Sequence, residues 1–558
     1  MGKKLFTIFW ESKFTLLVIL LGSVSWVGVM VRSGLVYKYG IGFWGPNGHD
    51  GVWHLALAES LARGSFEMPT FAGGQLMNYH VGFDLMLAGL FRLTGVGVSV
   101  WYFQILPVIF ALLIGGLLFW LLRALRCSET QTFWAEFLIY FGGSWGWALG
   151  KGESTFWAQQ AVSTLINPPF AMSLTTMLLG IVALAKKKYG WVILCFGVLV
   201  QVKAYAGVLA LGGLFVAAAY EFILKRKYKL LGVWVLSTVL ALLLFLPLNG
   251  LSGGLLILRP FWLLETMMQV GDRVGWVRFG EAMVNYKYGQ VWWKAIPAYG
   301  VAFLIFWYGN MGMRLIGEFT MATWIKDWRK MNVVRVLIMS VIFGGVVLPM
   351  FFVQKGTPWN TIQFFYYSLF FAGVLAGIGF GTIVELVKKK GSQLLLVSGM
   401  VVLTLPTTYQ TLRNNYLTVQ PPSYLPNEEV EALSFLSGQP EGVVLTYPFD
   451  VEASMRVEAP KPLYLYVTTA YVSAYSKKSI YLEDEMNLDI TGFDWRGRRE
   501  SVERFYESLD EEFVRNFLRE NNISYIYWVD GQRARLGETQ LGIERIFENE
   551  RVDIYMVQ

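Results

Sequence analysis

The sequence predicts a mostly α-helical, polytopic membrane protein of about 11 transmembrane helices, followed by a small C-terminal extracytoplasmic α/β domain. Three observations carry that prediction. Apolar residues make up 55% of the 558 residues and charged residues only 16%, against about 45–50% and about 25% in soluble domains. The mean hydropathy is +0.45, and a 16% aromatic content suits a chain that anchors at bilayer interfaces. The charge is also divided: from Asn427 onward 14 Lys and Arg face 25 Asp and Glu, a net of −11, whereas residues 1–426 carry a net of +18. A basic, apolar body is thus joined to an acidic, polar tail. Disordered, collagen-like and disulfide-framed secreted chains are excluded, the last because Cys127 and Cys195 are the only cysteines. A soluble nucleic-acid binder is excluded as well, since the basic residues fall in short clusters between apolar runs.

A helix needs roughly 20 apolar residues to cross the hydrocarbon core. By that rule spans are expected at 14–32, 101–122, 133–150, 169–185, 190–204, 206–223, 230–248, 294–309, 334–352, 363–386 and 392–408. The first is too long for a signal-peptide core and is followed by no small-residue cleavage site, so it reads as an anchor. The basic clusters are Lys3/Lys4/Lys13, Arg123/Arg126, Lys186/Lys187/Lys188, Lys225/Arg226/Lys227, Arg314/Lys326/Arg329/Lys330 and Lys388/Lys389/Lys390. With these spans all of them share the side of the N-terminus, which the positive-inside rule makes the cytoplasm. Two consequences follow. The run 190–223 must be two short spans hinged near Lys203–Gly207, and the apolar run 81–94, which holds Asp84 and Arg92, must be a re-entrant or juxtamembrane helix.

An odd number of spans puts the acidic tail outside, in a bacterial or archaeal plasma membrane. The membrane body covers 1–408, with outer loops 33–100, 151–168, 249–293 and 353–362; a Pro-rich linker covers 409–426 and the outer domain 427–558. In that domain Asn427 is expected to cap a helix, strands are expected at 443–447 and 523–529, and helices near 498–508 and 511–521. In the loop 249–293, residues 261–268 read as a juxtamembrane helix and 271–276 as a turn. This loop could be a lid over a lipid groove or a structural seal.

All three histidines, His49, His54 and His80, fall within 32 residues of the first outer loop. Asp50/His54 and His80/Asp84 are each spaced i, i+4, so each pair would share a helix face. A carboxylate beside a histidine can serve as a general base, and four such side chains could ligate a metal. Structural readings compete. Asp50 could be the N-cap of a helix at 51–63 that ends at Gly64, and His54 and His80 could be interfacial residues. No ligand pattern of established metal spacing is present, so no cofactor is expected, with a divalent metal held as the minor alternative.

An acidic residue soon after the first span, an amphipathic juxtamembrane helix and an aromatic, His-rich entry into the next apolar segment resemble the GT-C superfamily of integral-membrane glycosyltransferases. These use polyprenyl-phosphate-linked sugars, as protein mannosyltransferases and lipid A aminoarabinose transferases do. The resemblance covers the span layout, residues 48–94, Ile166-Asn167-Pro168-Pro169, Gly356-Thr357-Pro358-Trp359-Asn360-Thr361 and the polar outer domain. It implies a hexosyl- or pentosyl-transferase with Asp50 as the base. The second acid often found beside the base is absent here, because His49 and Gly51 flank Asp50. His49 or His54 then becomes the helper, and Glu153 a weaker second acid.

Such a reaction needs a carboxylate for the acceptor and cations at headgroup depth for the departing phosphate. Lys203, Lys355, Arg259 and Arg273 are the candidate phosphate ligands, Lys203 and Lys355 being preferred; Arg278 is another cation of the same loop. Any of them could equally be a snorkelling interfacial residue. His80, Asp84, Glu153 and Asn167 are candidates for the acceptor or sugar. The implied partners are a polyprenyl-phosphate sugar, an extracytoplasmic protein, lipid or glycan acceptor and membrane lipids, and no nucleic acid. The rival readings are a transporter or lipid flippase, a structural or assembly protein, and a metal-dependent membrane hydrolase.

Overall fold

The computed structural model describes residues 12–250, 256–355, 357–532 and 542–558. Lys3, Lys4 and Gly356, named above, lie outside the described residues. The chain divides into two compact units, Met1–Val29 with Pro107–Leu417, and Met30–Leu106 with Thr418–Gln558. The first outer loop therefore belongs to the same unit as the C-terminal region, where the sequence suggested a single break in the linker.

In the first unit every expected span but one coincides with a helix. Those of Val98–Ala124, Pro168–Ala185, Ala204–Lys225, Lys229–Asn249, Val333–Phe351, Pro358–Leu386 and Lys390–Tyr416 are long and apolar enough to cross a membrane. Lys13–Val27 and Tyr189–Val202 are shorter apolar helices. The hinge at Lys203 is present: its backbone is extended between Tyr189–Val202 and Ala204–Lys225. The expected span at 133–150 is not one helix. It covers Glu129–Phe141, stops at Gly142 and Gly143, and continues as a short 3-10 turn, Trp145–Leu149. Glu136, placed by sequence near a segment end, is consequently mid-helix and fully buried, with no hydrogen-bond partner among the described residues.

The same break relocates Arg314. Sequence grouped it with a cytoplasmic cluster. The Trp292–Met311 helix ends at Gly312, whose φ is +54° and whose missing Cβ would stand 2.0 Å from the Gly143 carbonyl oxygen. Only glycine fits that approach. The following turn carries Arg314 into the interior, 2% exposed, where its guanidinium donates to the Gln160 side chain and to the Asn310 carbonyl at 2.6 Å. The Val277–Tyr288 helix, in the loop 249–293, was not foreseen; Trp262–Gln269 was.

The bundle packs most tightly where Gln363–Leu386 crosses Glu129–Phe141. A Cβ on Gly377 would meet the Ala135 backbone at 2.1 Å, and one on Gly381 the Gln131 Cα at 2.5 Å. Small residues four apart let two helix backbones touch, which matters where lipid removes any hydrophobic gain from association.

In the second unit, strand Gly40–Phe43 pairs antiparallel with Ser423–Pro426, in register Gly40 to Pro426 and Phe43 to Ser423. Gly40 has φ +122°, and a Cβ there would lie 1.9 Å from the Leu425 carbonyl oxygen. A five-stranded sheet orders 543–548, 552–557, 523–529, 443–446 and 479–480, its middle parallel and its 543–557 edge an antiparallel hairpin. Helices Arg496–Glu507 and Glu511–Glu520 match expectation. Asn427 does not cap: it is the first residue of its helix, and its amide donates to the Lys38 carbonyl at 2.7 Å.

Replacing Gly377 by Ala is expected to lower the thermal unfolding midpoint in detergent by the equivalent of about 1–3 kcal/mol, the usual cost of overpacking. Gly300→Ala, which meets nothing within 4 Å, is expected to leave the midpoint unchanged or raise it slightly through helix propensity. Differential scanning fluorimetry of both variants checks the contrast.

Candidate active site

The Gly40–Phe43 strand delivers the chain to a 3-10 turn at Gly45–Gly48, which runs into the Asp50–Ala62 helix with His49 as its N-cap. Gly48 is required there, because a Cβ would stand 2.3 Å from the Ser423 hydroxyl oxygen. The buried Ser33 Oγ fixes the turn by accepting the Trp44 N–H and the Asn47 amide, both at 3.0 Å. Asp50 lies in the first turn of the helix, a favourable place for a carboxylate because the unpaired N–H groups of that turn carry partial positive charge.

His49 is 9% exposed. Its Nδ1 is 2.8 Å from Asp50 Oδ1, and its Nε2 is 3.5 Å from Asp484 Oδ1, an ion-pair distance longer than a hydrogen bond. The Asp50 side chain keeps 41% of its surface exposed while that of Asp484 has none. Burial opposes a charge on His49, yet the Asp484 and Asp50 carboxylates outweigh it and raise the imidazole to about 10. The outer carboxylate is open to a reactant and the inner one is sealed.

Asp484 was not singled out from sequence, although it is the centre of the acidic run Glu483-Asp484-Glu485. Backbone hydrogen bonds place it: Ile480 N–H to Pro69 O at 2.8 Å, Ala72 N–H to Ile480 O at 2.9 Å and Glu483 N–H to Thr70 O at 3.0 Å. The Asp484 carboxylate accepts the Asn487 side-chain amide at 2.7 Å and the Asn487 backbone N–H at 3.3 Å. On either side, Glu483 accepts the N–H groups of Val472 and Ser473, and Glu485 pairs with Arg499 at 2.7 Å.

The remaining predicted residues of this unit arrange themselves differently from their spacing. Asp50 and His54 do share one helix, but His54 Nδ1 meets Asp84 Oδ1 at 2.7 Å, tying Asp50–Ala62 to Gly82–Thr94. Both side chains are buried, and the His54 ring stacks on Tyr102 at 5.7 Å. His80 does not share a helix with Asp84: it precedes the Gly82 start and stacks on Tyr79 at 4.6 Å.

In the other unit, Asn167 caps Pro168–Ala185 by accepting the Phe170 N–H, and its Oδ1 also accepts from the buried Lys203 at 3.3 Å. Tyr205, two residues beyond, donates to Gln354 at 2.6 Å, next to exposed Lys355. Strand Leu256–Leu258 pairs with Phe352–Gln354 and leads to exposed Arg259. Arg273 is engaged in holding loops, stacked on Trp157 at 4.5 Å and donating to Ser154 Oγ at 3.1 Å. Glu153 accepts the Ser163 hydroxyl and the Gln160 N–H, and Gln160 in turn is held by Arg314. Loss of hydration pushes Glu153 up to about 7, against the pull of Ser163 and Gln160. Among the described residues no three His, Cys, Asp or Glu side chains converge as a metal site requires.

The Glu153 shift has a sign that can be measured. An acid raised in the folded state binds its proton there while the unfolded chain has released it, so stability falls as pH rises from about 4.5 to about 7 and is level beyond. Thermal unfolding from pH 5 to pH 8 is expected to show this slope in the native chain, and Glu153→Gln to flatten it and stabilise the protein above pH 7.

No protein-family model matches the chain, and no curated protein does. Solved structures do. The oligosaccharyltransferase of Archaeoglobus fulgidus, tethered with an acceptor peptide containing the NVT sequon, matches with a TM-score of 0.52 at 10% identity, over 93% of this chain and 70% of that one. The Archaeoglobus fulgidus oligosaccharyltransferase AglB in complex with an inhibitory peptide and a dolichol-phosphate gives 0.50 at 10% identity, over 94% and 70%. A complex with zinc and sulfate gives 0.51 at 10% identity, over 92% and 68%. Identity this low speaks for architecture alone. The chain has the fold of the Archaeoglobus fulgidus oligosaccharyltransferase.

Proposed function

We propose that the chain is a glycosyltransferase of the plasma membrane, N-terminus cytoplasmic and C-terminal region outside. It moves a sugar, hexosyl or pentosyl, from a polyprenyl-phosphate donor to the hydroxyl or amide of an extracytoplasmic acceptor. The observation that carries this reading is the half-exposed Asp50 carboxylate, oriented from behind by buried His49, in a chain with the fold of enzymes captured with acceptor peptide and with dolichol-phosphate.

In the proposed reaction Asp50 takes the acceptor proton while the acceptor oxygen or nitrogen bonds to the anomeric carbon. The bond from that carbon to the phosphate oxygen breaks, and its electron pair leaves with the polyprenyl phosphate. Little activation of the leaving group is needed, so the protein's work is to aim the acceptor and to neutralise the developing phosphate charge. Lys203, presented by its hinge and Asn167, and Lys355 are assigned the second task. Arg259 is assigned a peripheral part, and Arg273 a structural one, since its guanidinium already serves the loop 151–157. His54 and Asp84 set the helix that carries Asp50, Glu153 is kept as the second acid, and His80 as an acceptor contact. No step is routed through a metal, because among the described residues no three His, Cys, Asp or Glu side chains converge.

A transporter or lipid flippase is the competing reading, and buried, mid-helix Glu136 is the observation in its favour. Purified protein in nanodiscs, given a panel of polyprenyl-phosphate sugars and hydroxyl or amide acceptors, separates the two. Release of polyprenyl phosphate is expected, with Asp50→Asn slower by about 10²–10⁴-fold, the usual worth of a general base. Undiminished release by Asp50→Asn overturns the assignment of the base. Absence of release from every donor, with the protein folded, favours the transporter.

A further inference from the structure

His49 stands between two carboxylates that reach it from opposite ends of the chain, Asp50 at Nδ1 and Asp484 at Nε2. A neutral imidazole has one N–H and one lone pair, so it can serve only one such acceptor; the imidazolium, with two N–H groups, serves both. Among the described residues His49 is the one cation in ion-pair range of Asp484, which is sealed from solvent. A buried carboxylate facing a neutral imidazole would be an uncompensated charge, the costly alternative.

We propose that His49 is held permanently as an imidazolium, a built-in cation that ties Asp50 to Asp484 and orients the proposed base without a metal ion. The inference rests on the function proposed above. It makes His49 a positioning residue, and Asp484 the anchor that keeps it charged. His49 keeps its own proton throughout: the acceptor proton goes to the outward Asp50 oxygen, and the electron pair of the sugar–phosphate bond goes to the phosphate.

The groups around His49 agree with this. On its own helix the charge beside it is Asp50, with Glu59 more than two turns farther on. From the Leu463–Tyr466 helix comes the Tyr466 hydroxyl, which donates to the Gly45 carbonyl at 3.2 Å; Tyr466 and Tyr102 are the hydroxyls within range of the Asp50 charge. Behind Asp484, Glu483 is satisfied by two backbone N–H groups and Glu485 by Arg499. The raised pKa of about 10 is what two flanking carboxylates produce once they outweigh burial.

Histidine-selective 15N labelling tests the charge directly, since the chain has only three histidines and His49→Gln identifies its signals. In nanodiscs the His49 ring is expected to remain an imidazolium at pH 8 and to titrate near 10. Asp484→Asn is expected to lower that midpoint by more than one pH unit. In the donor-release assay His49→Gln is expected to lose at least about 10-fold in kcat, with KM for the donor unchanged, and the native rate is expected to withstand EDTA. Titration of His49 near 6.5, or a native rate abolished by EDTA and restored by Mn²⁺, overturns the inference while leaving Asp50-dependent turnover intact. Should Asp484→Asn fail to fold, the titration of the native chain decides alone.

Discussion

The antiparallel pairing of Gly40–Phe43 with Ser423–Pro426 holds the candidate site together. These two segments are nearly four hundred residues apart in a 558-residue chain, and closing so long a loop costs entropy that their backbone hydrogen bonds and the packing around them must offset. The pairing is possible only because Gly40 carries no side chain where it meets Leu425. Once it forms, Gly48 fits under Ser423, the 3-10 turn is set by Ser33, and His49 emerges with its ring between Asp50 and Asp484. A side chain at Gly40 or Gly48 would displace Asp50 without touching it.

The same economy governs the helical unit. Its helices approach at glycines, Gly377 and Gly381 against Glu129–Phe141 and Gly312 against Gly143, and one group of its buried polar side chains is joined inside it. Arg314, Gln160, Asn310 and Glu153 form one connected set. In a low-dielectric interior such sets are rigid when complete and costly when broken. This explains why the loop 142–167 keeps a defined shape although little of it is regular helix.

Glu136 and Asp484 show two fates of a buried carboxyl. Asp484 has an imidazole and an amide directed at it, and so can remain charged. Both oxygens of Glu136 are buried without a hydrogen-bond partner among the described residues. A chemical role follows from the partners that converge on the carboxyl, and burial by itself assigns none.

Much of the architecture was legible in the chain because it is written locally. Runs of apolar residues marked the long helices of the bundle, Lys203 marked a hinge, and strands 443–446 and 523–529 and helices 496–507 and 511–520 followed from periodicity. Asp50 was singled out from its place after the first apolar segment, and the fold puts it in the first turn of its helix beside His49. What failed was everything set by contacts between distant segments. The i, i+4 spacing set Asp50 with His54 and His80 with Asp84, and the fold paired His54 with Asp84 instead. The basic cluster at 314–330 looked uniform, and a glycine break put Arg314 in the interior. Hydrophobic periodicity reports which face of a segment avoids water, a property each segment has by itself. Which carboxylate meets which imidazole depends on strand register and on backbone approaches of a few ångströms, and those exist only when the whole chain has folded.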